Sequence, residues 1–162
     1  MNQLPRETFD KVLDEISFLG GIEEKLTPRT KKYLLKRLHN KQLIMAFEEQ
    51  ALAGWGLVEP LATGVVEIGF LYVKPEFRDT NAFHDLAREL VLRKETVLFA
   101  TYDRKLFDYV RRTYNFKEST LKEFQRLSRG RFVLKRLNLD ALRSIGSRLK
   151  TTKPIYALLE RS

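Results

Sequence analysis

The sequence contains no cysteine and only two histidines, His39 and His84, which lie far apart along the chain. The absence of cysteine excludes disulfide bonds, thiolate zinc sites and cysteine nucleophiles. The two histidines do not have the spacing of metal ligands, and we therefore expect no metal site.

Long apolar runs are absent as well. No stretch of the 162 residues approaches the roughly 20 apolar residues that a membrane span needs. The first residues, MNQLPRETFDKVLDE, are polar and acidic, unlike a signal peptide. We expect a cytoplasmic enzyme or binding protein with no membrane partner, folded as a single domain over residues 1–162.

Positive charge is concentrated in the last third of the chain. Residues 111–162 hold 14 Lys/Arg against 4 Asp/Glu, whereas residues 1–110 hold 16 against 17. Such a block is typical of a protein with an anionic partner, such as nucleic acid or a phosphorylated cofactor. It is equally typical of a solvated basic face, and both interpretations stay open at this point.

Apolar residues recur at helical or strand spacing along most of the chain. The glycine pair Gly20-Gly21 is expected to end the first helix. The predicted helices cover Thr8–Phe18, a segment from Thr27 to Asn40, Ala82–Leu92, a segment after Asp103, Leu121–Leu127 and Leu139–Leu149. The predicted strands cover Gln42–Glu49, Leu52–Leu61, Val65–Pro75, Thr96–Tyr102, Arg131–Leu137 and Pro154–Glu160.

The order of these elements predicts the fold class. Short turns between the first three strands indicate an antiparallel meander. The strand–helix–strand order over residues 65–102 predicts a crossover, which makes these two strands parallel neighbours. We therefore predict an α+β (mixed α/β) fold with a central mixed sheet flanked by helices. Residues 1–40 would supply the N-terminal helices, 41–117 the core strands and 118–162 a basic C-terminal part.

The stretch LYVKPEFRDTNAFHDLARELV reads as a strand, a proline turn, a polar loop and a helix. Val73, Pro75 and Arg78 match the pattern V-x-P-x-x-R-G-x-G-x-G, which makes the stretch similar to the cofactor motif of the GNAT superfamily of acyl-CoA-dependent N-acetyltransferases. Further along, LFDYVRRTYNF resembles the end of a later helix in that family, with Asn115 and Phe116 in the glycine and phenylalanine places. The resemblance spans about residues 41–117 and implies a GNAT-like fold.

The same resemblance implies acetyl-CoA as co-substrate. In the family the pantetheine arm pairs with the long strand, and the pyrophosphate sits at the positive end of the following helix. The candidate cofactor-binding residues are Leu71, Tyr72, Val73, Arg78, Asp79, Thr80, Asn81, Ala82, Phe83 and His84.

The loop departs from the family pattern because it contains no glycine. Asn81 and Phe83 stand in the two glycine places. Asparagine tolerates left-handed dihedral angles better than most residues. A phenylalanine would either crowd the pyrophosphate or turn into the core, and the helical spacing of Phe83, Leu86 and Leu90 favours the core.

The resemblance also implies a catalytic pair. The family's general base is commonly a glutamate on the long strand, and Glu67 is the only carboxylate within it. Its alternative role is that of a solvated strand residue. The family's tyrosine acid falls on Arg111 here, and Tyr109 is the candidate nearby. Glu59, near a strand end, is expected at the surface, and Trp55 is expected in the core rather than in a substrate cleft.

These residues lead to one function and two alternatives, one of which is an interaction domain with no small ligand. The resemblance implies an N-acyltransferase that transfers an acetyl group from acetyl-CoA to a small-molecule or protein amine. The other alternative is a non-catalytic GNAT-like module that binds nucleic acid or another anionic partner through its basic C-terminal third. No recognised nucleic-acid motif accompanies the charges.

Overall fold

A computed structural model describes residues 6–23, 26–135 and 153–161 of the chain. The helices are α1 (Arg6–Ile22), α2 (Lys31–His39), α3 (Asn81–Val91), α4 (Arg104–Tyr114), α5 (Leu121–Leu127) and α6 (Arg131–Leu134). The strands are β1 (Leu43–Glu48), β2 (Ala51–Ala62), β3 (Val65–Val73), β4 (Thr96–Thr101), β5 (Lys117–Ser119) and β6 (Ile155–Leu159). A 3-10 turn at Pro75–Phe77 lies between β3 and α3.

The strands form a mixed sheet in the order β1-β2-β3-β4-β6-β5. β1 and β2 are antiparallel, as predicted for the meander, whereas β3 and β4 are the predicted parallel pair. β6 runs antiparallel to both β4 and β5. The prediction of an α+β fold with a central mixed sheet flanked by helices is confirmed.

Short polar side chains fix the boundaries of the helices. Asp103 caps α4 by accepting hydrogen bonds from the backbone N–H groups of Lys105 and Leu106. At the other end Asn115 adopts a left-handed conformation, with φ of 61°, and closes the helix. Asparagine is one of the few residues other than glycine that tolerates this conformation, so the predicted start and end of α4 are confirmed.

The chain divides into two compact units. The first unit comprises the described residues up to Leu57 together with Phe70–Ala87. Its core joins apolar residues of α1 and α2 to β1 and β2 around the fully buried Trp55, which confirms the expected core position of that residue. Phe70 and Tyr72 pack against this cluster from β3.

The second unit comprises Val58–Gly69 and the described residues from Arg88 onward. Its core contains buried residues of β2, β3, β4, α5, α6 and β6, among them Leu61, Phe124 and Phe132. The rings of Phe124 and Phe132 meet edge to face with their centroids 5.0 Å apart. This aromatic pair attaches α5 and α6 to the sheet residues of the unit.

The structure corrects three details of the predicted elements. α1 continues through Gly20 and Gly21 to Ile22 instead of ending at the glycines. The segment predicted as a strand from Arg131 begins as the short helix α6. β5 was not predicted, and the predicted helix over 139–149 lies outside the described residues.

Candidate functional site

The parallel pairing of β3 with β4 is short. Its register begins at Val65 opposite Thr96 and ends at Ile68 opposite Phe99, whereas β3 itself continues to Val73. Phe70 lies just beyond the last pair and has a φ of 51°, a conformation that is uncommon for a bulky residue. Leu71–Val73 therefore lie beyond the part of β3 that pairs with β4.

The chain turns sharply after β3 without any glycine. Lys74 N–H donates to the Ala53 carbonyl at 2.9 Å, which holds the end of β3 beside β2. The 3-10 turn follows, and the Arg78 and Thr80 N–H groups donate back to the Pro75 and Phe77 carbonyls. Proline in the first turn and hydrogen bonds within the loop thus stabilise this glycine-free turn.

Arg78 and Thr80 form side-chain hydrogen bonds in the residues that lead into α3. Arg78 is exposed, and its Nε donates to the Val73 carbonyl at 3.3 Å. The Thr80 hydroxyl donates to the Phe77 carbonyl at 3.0 Å and accepts from Ala82 N–H at 3.3 Å. Thr80 therefore acts as the cap of α3. Helix N-termini leave backbone N–H groups without an intrahelical partner, and those groups attract anions.

The first turn of α3 places its side chains differently from the prediction. Ala82 is buried and Asn81 is exposed, whereas Phe83 is only half-buried. The Phe83 ring packs against the imidazole of His84, with centroids 5.6 Å apart. The expectation that Phe83 is a core anchor is therefore wrong, because the buried stripe of the helix starts from Ala82 and continues through Leu86.

Tyr72 has a structural role through its side chain. Its ring lies 4.9 Å from the Trp55 ring, and its hydroxyl donates to Glu23 Oε1 at 2.9 Å. Burial raises the pKa of Tyr72 above its ordinary value of 10.0, and the hydrogen bond to Glu23 raises it further. The Tyr72 side chain is thus engaged within the first unit by Trp55 and Glu23.

Glu67 belongs to the second unit and is not solvated. It is 4% exposed, which rules out its alternative role as a solvated strand residue. Glu59 is also buried, contrary to the expectation of a surface position. Lys135, at the end of α6, donates from Nζ to Glu59 Oε2, and the same nitrogen lies 3.6 Å from Glu67 Oε2. One ammonium group thus stands beside two buried carboxylates.

Tyr109 lies on α4, also in the second unit. It is half-buried and lines an open depression of about 360 Å³ together with Lys105, Asp108, Arg112 and Thr113. Its ring meets that of Tyr114 edge to face at 6.1 Å. Arg111, in the family's tyrosine place, is exposed, and its guanidinium group lies 3.9 Å from Asp108.

The cofactor candidates form one continuous segment of the first unit, Leu71–His84, whereas Glu67 and Tyr109 belong to the second. Sequence reasoning missed Glu59 and Lys135 as neighbours of Glu67. The sequence contained a signal for Glu59, because Glu59 is two residues from Leu57 and two residues from Leu61 in β2. Side chains at this spacing lie on the same face of a strand, and both leucines are buried. No comparable signal existed for Lys135, whose segment was predicted as a strand.

No protein-family model matches the sequence, and no curated protein matches it significantly. Solved structures, in contrast, are clearly similar. Rv2747 from Mycobacterium tuberculosis, in complex with CoA, has a TM-score of 0.63 at 15% identity over 93% of this chain and 96% of its own.

Two further solved structures agree with the first. yncA from Salmonella typhimurium, with its cofactor acetyl-CoA, has a TM-score of 0.63 at 10% identity over 99% of this chain and 92% of its own. A GNAT-family acetyltransferase from Bacillus cereus has a TM-score of 0.58 at 12% identity over 94% and 92%. These similarities show that the chain has the GNAT fold.

The described ranges lack two further features. They contain no helix whose length and apolar character would let it cross a membrane. They also contain no group of three or more carboxylate or imidazole side chains that could hold a metal ion.

Proposed function

We propose that this chain, which has the fold of the GNAT N-acetyltransferases, transfers an acetyl group from acetyl-CoA to an amine. The observation that carries the proposal is the course of β3. Its parallel pairing with β4 ends at Ile68, yet the strand continues to Val73 and leads through a glycine-free turn into the N-terminus of α3.

The residues present fit acetyl-CoA in their chemistry. The backbone of Leu71–Val73 would pair with the amide groups of the pantetheine arm. The N–H groups of the first turn of α3 and the exposed Arg78 would hold the pyrophosphate, because a helix N-terminus and a guanidinium group both favour phosphate oxygens. Within this turn, Ala82 N–H also donates to the Thr80 hydroxyl of the cap.

Acetyl-CoA supplies the activated acyl group, and the protein supplies a base and positioning. Glu67 would accept the proton that the acceptor ammonium must lose before the nitrogen can attack. Its burial on β3, immediately before the last paired residue, supports this role. Tyr109 would protonate the leaving thiolate. Both roles, and the acceptor amine, are parts of the proposal.

The test of the proposal is a calorimetric titration of the full chain with CoA. Arg78→Ala should weaken binding by about 1.5–3 kcal/mol, the usual contribution of a charge-assisted hydrogen bond. Arg88→Ala is the matched control, because Arg88 is exposed on the same helix but in its last turn, away from the positive end. Absence of both heat and thermal shift with millimolar CoA would disprove the proposal.

The catalytic roles are tested by isosteric variants. With a panel of amines as acceptors, Glu67→Gln should lower kcat by about 10²–10⁴-fold, the range typical of general base catalysis, and leave CoA affinity unchanged. Tyr109→Phe should lower kcat in the same way. An unchanged rate in either variant would remove that residue from the mechanism without affecting the cofactor site.

A further inference from the structure

Lys135 combines a nucleophilic group with two buried carboxylates. Its side chain is 30% exposed, whereas those of Glu59 and Glu67 are 7% and 6% exposed. The Nζ atom donates a hydrogen bond to Glu59 and lies 3.6 Å from Glu67 Oε2. An ammonium group beside a carboxylate can lose its proton to that carboxylate, which an amine must do before its nitrogen can attack.

Glu67 is common to this cluster and to the reaction proposed above, in which it is the base. Glu67 pairs with Leu98, and only one more pair, Ile68 with Phe99, follows before the parallel register ends. The segment Leu71–Val73, proposed to pair with the pantetheine arm, begins four residues after Glu67. The carboxylate next to Lys135 is therefore the one proposed to accept a proton from an acceptor amine.

From this geometry we propose that Lys135 is itself an acetyl acceptor, so that the chain acetylates its own Nζ atom. The inference rests on the proposed function, since acetyl-CoA is the donor. The Lys135 ammonium transfers one proton to Glu67, and the nitrogen lone pair forms a bond to the thioester carbonyl carbon. The carbon–sulfur bond breaks, and the second proton lost from nitrogen ends on the thiolate. The products are acetyl-lysine and CoA, and Glu67 returns its proton to water.

Self-acetylation has a physical consequence that does not depend on measuring turnover. It removes the positive charge between Glu59 and Glu67 and leaves two buried carboxylates without this ammonium. Breaking a buried ion pair by removing one partner is strongly destabilising. The acetylated chain should therefore melt at a lower temperature than the unmodified chain, by about 10 °C for a domain of this size.

The experiment incubates the full chain with acetyl-CoA and measures acetyl occupancy at each lysine by peptide mass spectrometry. Lys135 should be acetylated at least about tenfold faster than the exposed Lys32 and Lys36, which report non-enzymatic reaction. Arg78→Ala should slow modification at Lys135 but not at these reference lysines. Glu67→Gln should slow the acetylation of Lys135 by about 10²-fold or more. If Glu67→Gln does not fold, the Arg78→Ala variant still tests the proposal.

The melting temperature provides the second measurement. Lys135→Gln, which removes the charge as acetylation does, should melt at the same lowered temperature as the acetylated chain. Lys31→Gln is the control, because Lys31 pairs with the exposed Asp10 and Asp14 and should change the melting temperature by no more than about 2 °C. An acetylated chain that melts like the unmodified one would contradict the proposed environment of Lys135.

Three outcomes separate this inference from the proposed function. If CoA binds and small amines are acetylated but Lys135 stays unmodified, Lys135 is only a counter-ion and the inference is wrong. The same conclusion follows if Lys135 reacts no faster than Lys32 and Lys36. If CoA does not bind at all, the proposed function fails and the inference fails with it.

Discussion

Gly20 and Phe70 are in direct contact, so closely that a methyl group at Gly20 would lie 2.7 Å from Phe70 Cζ. The contact explains why a glycine occupies the body of α1, where the sequence suggested the end of the helix. The Phe70 ring also lies near the Trp55 ring, with centroids 5.9 Å apart, and Phe70 has a positive φ of 51°. Phe70, which directly precedes the candidate cofactor segment, is thus held by the core of the first unit.

The two glycines of α1 should respond to alanine with opposite signs. Alanine stabilises a helix interior by about 1 kcal/mol relative to glycine. At Gly21 an added methyl group meets nothing within 4 Å, so Gly21→Ala should gain up to that amount. At Gly20 overpacking against Phe70 costs about 1–3 kcal/mol and outweighs the gain. Urea denaturation of both variants checks the prediction, and a Gly20→Ala variant as stable as Gly21→Ala would contradict it.

The hydrogen bond from Tyr72 to Glu23 should make stability depend on pH in the alkaline range. The folded chain raises the pKa of Tyr72 above 10.0, chiefly because burial disfavours the phenolate. The stabilisation is therefore complete below pH 10 and is lost as the pH rises through the folded pKa. Tyr72→Phe should cost about 1 kcal/mol at neutral pH, the usual value for one hydrogen bond.

The control for this prediction is a comparison of the wild type with Tyr72→Phe at neutral and at high pH. The difference in unfolding free energy between the wild type and Tyr72→Phe should be constant up to about pH 9 and smaller at about pH 11. Chemical denaturation at these pH values measures it. A difference that grows with pH would mean that the phenolate, not the phenol, is stabilised beside Glu23.

Phe83 and Leu86 of α3 should differ in their contribution to stability. Leu86 is 1% exposed, and Leu86→Ala should cost about 2–5 kcal/mol, as core truncations do. Phe83 is half-buried and contacts His84 on the helix flank, so Phe83→Ala should cost only about 1–2 kcal/mol. Thermal unfolding compares the two variants.

The CoA affinity of the Phe83→Ala variant checks the position of the ring at the same time. A ring that packs on the flank of α3 beside His84 should have little influence on the pyrophosphate, and affinity should stay the same. A clear gain in affinity would show that the phenyl ring obstructs the helix N-terminus, and a stability loss equal to that of Leu86→Ala would show that it is a core residue.

Local chemistry determined which parts of the fold were predictable. α4 was predicted because Asp103 and Asn115 carry specific capping chemistry at its two ends. α6 was not, because a helix of four residues is too short to show periodicity, and the apolar run Phe132–Leu134 resembles a strand. Its helical form depends on contacts that are distant in sequence, including the Arg131 guanidinium group donating to the Leu61 carbonyl at 3.2 Å.

The candidate site was likewise predictable only where local residues determine it. The turn at Pro75 and the start of α3 follow from local residues, and both were predicted within one residue. Glu59 and Glu67 are buried beside Lys135, which is 76 residues from Glu59 in the chain. Pairings of this kind are invisible to a local pattern, because the cost of burying a carboxylate is offset only by a partner that the fold supplies.

The basic residues around Gly130 are less available to a polyanion than their number suggests. Arg131 donates to the Leu61 carbonyl, and Arg126 lies 3.5 Å from Glu123, whereas Arg129 is exposed. Each of these contacts occupies part of a guanidinium group's five N–H donors, and Glu123 also offsets the charge of Arg126. We therefore expect an oligonucleotide to bind weakly, with an affinity that falls with salt at a slope of about 0.7 to 0.9 per phosphate neutralised.

Fluorescence anisotropy with single-stranded and double-stranded oligonucleotides at two salt concentrations measures this affinity. The three arginines should together contribute at most one or two phosphate contacts. The Arg126/Arg129/Arg131 triple alanine variant should therefore have a smaller salt dependence of affinity than the wild type, and Arg129→Ala alone should cause most of that decrease. Lys117→Ala, which removes an exposed cation on β5, is the control for charge alone.

Micromolar binding that persists at physiological salt and disappears in the triple variant would contradict this prediction. It would favour the alternative in which the fold is a scaffold for nucleic-acid binding, because only a site built for phosphate keeps its affinity when counterions compete.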